Sequence, residues 1–407
     1  METGIAAIVS IASIASIASI AYIGSIASLH PHHLNTMTDQ EIIYTIALTR
    51  LPQVGLIIAR KLYESAGSAT TLYQHRHSLR DILPDATPRL VEAVSHFDEY
   101  IAGAEREMDF IGRKGIKAYT LADPAYPRRL LDCHDSPTLI FHCGTGLMNQ
   151  PHTLSIVGSR RCTPYGRDMC RAIVRDLSQM VPDLLIVSGL AYGIDISAHR
   201  AAIEAGLPTI AVLAHGLDRI YPATHRNTAV QMVNNGGLIT EYPSGTTPDR
   251  MNFVQRNRIV AGMADATLVV ESGEHSGSLI TADMALSYNR DVFAMPGRVC
   301  DEMSQGCNIL IRKQKAQLIQ TAEDIVTAMN WNTQQNKQMP KQQTLFPELT
   351  TDEQRILNLM SSDESIQINQ IVTLTGMNYS AISYILYELE CKGIVELLGG
   401  ARYRKLT

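Results

Sequence analysis

The sequence predicts an α/β fold: a Rossmann-like, doubly wound, mostly parallel sheet carried between two smaller helical modules. Three observations predict it. Short apolar runs alternate with amphipathic stretches of helical length between Leu154 and Gln320. The chemically suggestive residues cluster where those runs end, which is where open α/β sheets bind ligands. The composition, 45% hydrophobic and 18% charged, is that of a globular protein, and 407 residues suffice for roughly two to three domains.

Residues 1–36 stand apart. No charged residue occurs from Thr3 to Leu29, and Ile-Ala-Ser repeats run from Ile11 to Ile20. The length could span a bilayer, but no Lys or Arg precedes Arg50, so a signal peptide's basic region and a positive flank are both missing. A three-residue period fits neither helix nor strand and reads as low complexity. The expectation is a dispensable leader with the working chain beginning at Met37; the alternative is a membrane anchor.

Residues 37–110 read as a helical domain. Asp39 can cap a segment carrying Ile42, Ile43, Ile46 and Ala47 at helical spacing. Leu51-Pro52-Gln53-Val54-Gly55, followed by Ile58, Ala59 and Leu62, resembles a helix-hairpin-helix, whose glycine turn offers N–H groups to phosphate. Gln53 stands where the first glycine belongs, so a purely packing role and a DNA contact both remain open.

Residues 111–330 form the Rossmann-like domain. Its apolar runs are Leu154–Gly158, Leu184–Gly189, Thr209–Ala214, Leu238–Tyr242, Thr267–Ser272, Asp291–Pro296 and Gln317–Gln320, with helices such as Pro164–Met180 and Ile196–Ala205 between them. Buried runs alternating with helices imply βαβ units in a sheet covered on both faces. Residues 331–349, rich in Gln, Asn and Lys, are a linker. In 350–407, helices from Asp352, near Asn369–Thr375 and over Tyr379–Cys391 precede a hairpin of Ile394–Leu398 and Arg402–Leu406 around Gly399-Gly400; this resembles a winged helix.

The net charge of −5 argues against a polybasic nucleic-acid binder, so any DNA contact must come from a local basic patch. The seven cysteines include no C-x-x-C pair, which fits a reducing cytoplasm and no structural metal. His30, His32 and His33 beside Pro31 read as a solvated loop.

At the strand ends, Gly158-Ser159-Arg160-Arg161 stands where a dinucleotide site needs G-x-G-x-x-G, and no P-loop occurs; no cofactor is expected. Ser188-Gly189 opens a small-residue turn through Gly193 to Asp195, letting phosphates approach the backbone. Arg250, Phe253, Arg256, Asn257 and Arg258 form a basic cluster around one aromatic, suited to phosphates and unstacked bases. Ser276-Gly277-Ser278 is a turn that can hold an anion at a helix start.

Singly these motifs are weak; their order is specific. Gly158-Ser159-Arg160, Ser188-Gly189 with Gly193-Ile194-Asp195, Gly216-Leu217-Asp218 with Tyr221-Pro222, Glu241-Tyr242-Pro243, Arg256-Asn257-Arg258, Ser276-Gly277-Ser278 and Met295-Pro296-Gly297 together resemble the DprA/Smf DNA-processing family over roughly residues 120–407. The resemblance implies a bacterial, cytoplasmic single-stranded-DNA-binding protein, not an enzyme. It further implies protection of incoming DNA, loading of the RecA recombinase in natural transformation, and a homodimer without membrane attachment. Two positions depart from the pattern: Tyr192 replaces a frequently basic residue, and Val254-Gln255 replaces the usual proline. The rival reading is a nucleotide hydrolase resembling the lysine-decarboxylase-like phosphoribohydrolases, with Glu271 and Asp195 as candidate carboxylates. Ser272–Ser278 lacks that family's glycine run and downstream glutamate. The winged helix, with tyrosines and no basic residue before Lys392 on its third helix, reads as a protein-docking module.

Overall fold

The computed structural model describes residues 36–331, 349–360, 365–398 and 401–406, which form two compact units, 36–331 and 349–406. The low-complexity leader up to residue 35, most of the expected linker and Gly399-Gly400 lie outside the described residues.

The first unit begins with helices α1 (Thr36–Leu48), α2 (Leu56–Ala66), α3 (Ala69–Gln74), α4 (Pro88–Ser95) and α5 (Asp98–Lys114). Asp39 lies inside the first turn of α1 rather than at its cap. In the α1–α2 turn, Gln53 adopts φ 62°, the left-handed region where glycine belongs, so the glycine-like turn survives without the glycine. Helix α5 runs past the expected boundary at 110 and stops at Gly115, whose φ of 64° ends it with a left-handed residue.

The sheet has nine strands among the described residues: β1 (Lys117–Thr120), β2 (Leu139–Cys143), β3 (His152–Val157), β4 (Leu184–Ser188), β5 (Thr209–Val212), β6 (Gly236–Thr240), β7 (Ala266–Val269), β8 (Asp291–Ala294) and β9 (Gln317–Leu318). Their order is β1-β2-β6-β5-β4-β3-β7-β8-β9, parallel from β6 to β9 and antiparallel at β1-β2 and β2-β6. Seven of these answer to the apolar runs. The first two were not expected, because β1 is short, carries Lys117 and is only partly buried. All seven stop one to three residues short of the end of their apolar run, although Leu213 N still donates to the Ile239 carbonyl at 2.8 Å and Val270 N to the Val157 carbonyl at 3.1 Å, and both stay buried.

Alternate residues of the central strands point to opposite faces, as the pleat requires. Leu154, Ile156 and Ile186 meet helices α7 (Pro164–Met180), α8 (Ile194–Glu204) and α13 (Ala322–Ala328) on one side. Leu185, Val187 and Ile210 meet α10 (Arg250–Gly262) and α11 (Gly277–Ser287) on the other. Helix α6 (Arg128–Leu131) adds Leu130 there; α9 (Arg226–Asn234) and α12 (Gln305–Arg312) complete the unit. Trp331, placed in the linker by sequence, instead packs edge-on against His152 in this core, 6% exposed. The N-terminal helices cover the antiparallel margin through Leu139 and Phe141. Its Glu107, 4% exposed, accepts from Ser244 N at 2.8 Å and Ser244 Oγ at 2.6 Å, tying α5 to the loop that leads into α10.

The second unit is a winged helix: α14 (Thr351–Leu357), β10 (Ile366–Gln367), α15 (Ile368–Thr375), α16 (Tyr379–Cys391), β11 (Val395–Leu398) and β12 (Arg402–Lys405), around a core of Ile356, Ile371, Ile382 and Leu386. Strand β10, not expected, adds a third member beside the hairpin. No described helix is long and apolar enough to cross a membrane.

Candidate nucleic-acid interface

Strand β3 has β4 on one side and β7 on the other. The chain leaves β3 toward β4, β5 and β6, then crosses back to continue through β7, so the loops after β3 and β7 diverge and leave a crevice. A cleft of about 1060 Å³ occupies this place. Of the residues singled out by sequence, Gly158, Ser159, Arg160, Gly189, Arg250, Phe253, Arg256, Asn257, Ser276, Gly277 and Ser278 line it.

Two do not. Ser188 is fully buried, and its Oγ donates to the Ile156 carbonyl at 2.6 Å, bracing β4 against β3. Arg258, expected in the pocket, is 4% exposed and points away from it. Its guanidinium pairs with the Glu241 carboxylate and donates to the Asp135 carbonyl at 2.6 Å. The physical reason is that Arg250–Gly262 is a helix, so Arg256 and Arg258, two positions apart, leave it about 200° apart.

Arg256 forms the floor rather than the mouth. It is 3% exposed and donates from Nη1 to the Gly189 carbonyl at 2.7 Å and to the Val212 carbonyl. A Cβ on residue 189 would stand 2.4 Å from both terminal guanidinium nitrogens. A side chain at residue 189 would therefore have to displace the buried guanidinium. Burial pushes the Arg256 pKa down and that of Asp195 up, and each charge opposes the other's shift. Asp195 also accepts from Ala191 N at 3.3 Å.

Above this floor the groups face solvent. Arg160 is exposed, its Cζ 5.0 Å from the Phe253 ring centroid, with the Arg256 Cζ at 5.9 Å. Arg161 and Arg250 are exposed on the same rim. Helix α10 is capped by Asp249, which accepts from Met251 N at 2.8 Å. The Arg160 loop is held from beneath. Ser159 N donates to the Glu271 carbonyl at 2.7 Å, and Ser159 Oγ accepts from Arg161 N at 3.0 Å. Gly193, at φ 80°, passes so close that a Cβ would stand 2.1 Å from Ser159 O.

On the opposite wall, Ser276 precedes α11 without a side-chain capping bond, so that helix start faces the cleft. Ser272, Ser278 and Ser276 are linked hydroxyl to hydroxyl at 2.9 and 3.0 Å, which fixes the turn. Such a terminus suits an anion. The Glu271 carboxylate is committed to Thr163, accepting from its N at 2.8 Å and its Oγ1 at 2.6 Å at the start of α7. No group of three or more His, Cys, Asp or Glu placed to hold a metal occurs among the described residues.

Tyr221, Glu274, Glu302 and Met303 also line the cleft and were not singled out as site residues. Tyr221 had a signal, its Tyr-Pro motif; Glu274, in a loop, and Glu302, at the start of a short 3-10 turn, had none.

The chain is similar to known DNA-processing proteins. A family model described as DNA recombination-mediator protein A matches residues 117–330, and one described as DprA winged helix domain matches residues 340–401. A putative DNA processing protein DprA of Mycobacterium tuberculosis is 33% identical over 324 residues, covering 75% of this chain and 82% of that protein. The DNA processing protein DprA of Streptococcus pneumoniae is 37% identical over 209 residues, covering 51% and 73%. The X-ray structure of DNA processing protein A from Streptococcus pneumoniae aligns with TM-score 0.59 at 32% identity, covering 70% of this chain and 96% of that one.

Proposed function

The chain belongs to the DNA recombination-mediator protein A (DprA/Smf) family, and from that premise we propose that its switch-point cleft binds single-stranded DNA. One observation carries the reading. Three exposed arginines, Arg160, Arg161 and Arg250, share a single cleft with Phe253 and an open helix N-terminus. Phosphates meet fixed positive charge and backbone N–H groups, while an unstacked base can lie against Phe253 and the exposed Arg160 guanidinium. The site residues are Gly158, Ser159, Arg160, Gly189, Arg250, Phe253, Arg256, Asn257, Ser276, Gly277 and Ser278, with Arg256 and Gly189 as scaffold.

The wider role we propose rests on family membership: a cytoplasmic homodimer that protects incoming single strands and loads the RecA recombinase during natural transformation. Binding rather than turnover is favoured because the carboxylates of Glu271 and Asp195 are spent on backbone and hydroxyl donors. The winged helix exposes Tyr379, Tyr384 and Tyr387 on α16 and ties Arg404 to Glu396, which supports a protein-docking role. The test is fluorescence anisotropy with a labelled single strand and the matching duplex across a salt series. Arg160→Ala should weaken single-strand binding for every base sequence and flatten the salt dependence by a slope of about 0.7. Equal affinity for duplex, or an unchanged slope, overturns the reading.

A further inference from the structure

At the cleft, the segment after β5 carries two aromatic contacts. Tyr221 stands 5.9 Å from the Phe253 ring, and His225, four residues on, stands 4.9 Å from Tyr192 in an edge-on arrangement. Tyr192 and Tyr221 are 48% and 47% exposed, so each has about half of its surface open to solvent beside a neighbouring ring. The turn that presents Tyr192 is strained. Leu190 has φ 58°, a conformation that L side chains other than Asn and Asp seldom adopt. It is kept there by complete burial of its side chain and by His225 Nδ1–H, which donates to its carbonyl at 2.8 Å. One histidine thus holds the backbone before Tyr192 and packs against its ring.

We propose that Tyr192 and Tyr221 form a base-stacking subsite on the rim of the cleft, with His225 as its positioning residue. The inference rests on the reading of the cleft as a single-strand site and adds how the strand leaves it. Bases of the nucleotides outside the phosphate pocket lie on Tyr221 and Tyr192, continuing the Phe253 surface along the segment 221–225. The contact needs the ring face and no hydroxyl, and it tolerates any base, because every base has a π face.

The experiment is an anisotropy titration of the full chain with a labelled oligothymidine and with an abasic strand of the same length, over a salt series. Tyr192→Ala and Tyr221→Ala should each weaken oligothymidine binding on the order of ten-fold. They should leave abasic affinity and the salt slope as in the wild type, and Tyr192→Phe and Tyr221→Phe should bind normally. His225→Ala should weaken oligothymidine binding in the wild type and add nothing in Tyr192→Ala. Unchanged oligothymidine affinity in the alanine variants, or equal losses on both strands, overturns the subsite. Arg160→Ala in parallel separates the two readings. If it weakens both strands while the tyrosine variants do not discriminate, the cleft stands and the subsite falls. If it changes neither strand, the phosphate assignment fails, and a base-dependent loss in the tyrosine variants would still uphold the subsite.

Discussion

Replacing Arg256 and Arg160 with alanine should produce opposite phenotypes, although both arginines line one cleft. Arg256 is 3% exposed and supplies a charged donor to two carbonyls, those of Gly189 and Val212. Leaving a buried acceptor unpaired costs about 1–3 kcal/mol each, so Arg256→Ala should lose roughly 2–6 kcal/mol. In a unit of this size each kcal/mol lowers the melting temperature by about 2–4 °C, so the fall should be on the order of 10 °C. Asp195 would lose the positive charge that opposes its desolvation, so Asp195→Asn in the same chain should recover part of the loss. Arg160 is exposed and makes no ion pair among the described residues, so Arg160→Ala should melt within about 1 °C of the wild type, as surface substitutions do. Circular-dichroism melting reads stability, and anisotropy from 50 to 200 mM salt reads binding. If Arg256→Ala melts like the wild type and only its DNA affinity falls, the scaffold assignment is wrong. If Arg160→Ala lowers the melting temperature, its place on an open rim is wrong.

Two further outcomes follow from buried or strained groups. His199 is fully buried, its Nδ1 within 2.7 Å of Thr209 Oγ1, and burial pushes its pKa from 6.5 down to about 3. The unfolded chain therefore takes up a proton below about pH 6.5 that the folded chain refuses, and stability falls as the pH drops from there toward 3. Urea unfolding at pH 7 and pH 5 should show the wild type losing about 2 kcal/mol more than His199→Leu; equal losses would mean that His199 is not held neutral. Gln53→Gly should relieve a left-handed non-glycine residue and raise stability by up to about 1 kcal/mol, whereas destabilisation would show that the Gln53 side chain contributes more than its backbone costs.

The parallel sheet was legible because its strands are buried on both faces and read as continuous apolar runs between capped helices; Pro164–Met180 is found with the expected bounds. The margin was not, because β1 and β2 owe their place to the N-terminal helices packed over Leu139 and Phe141, a contact invisible to local periodicity. Glu107 is a similar case: a carboxylate on an amphipathic helix gives no sign that it will be buried against Ser244, 137 positions away.

The Arg256-Asn257-Arg258 motif shows where reading the site from residue types ends. Read only as a basic cluster, its two arginines are equivalent, and both are assigned to phosphate. Read as helix, they cannot be: at 100° per residue, positions i and i+2 face nearly opposite sides, so at most one can look into a cleft that the helix borders. Arg256 took the side toward the strand ends, and there its guanidinium found the Gly189 and Val212 carbonyls before it could reach solvent. Arg258 took the other and closed on Glu241. The sequence marks that a helix begins here, since Asp249 precedes the cluster as a capping residue. With the period restored, the charge left for a ligand shifts to Arg160, Arg161 and Arg250 on the rim, and Phe253 lies between the exposed Arg160 and the buried Arg256.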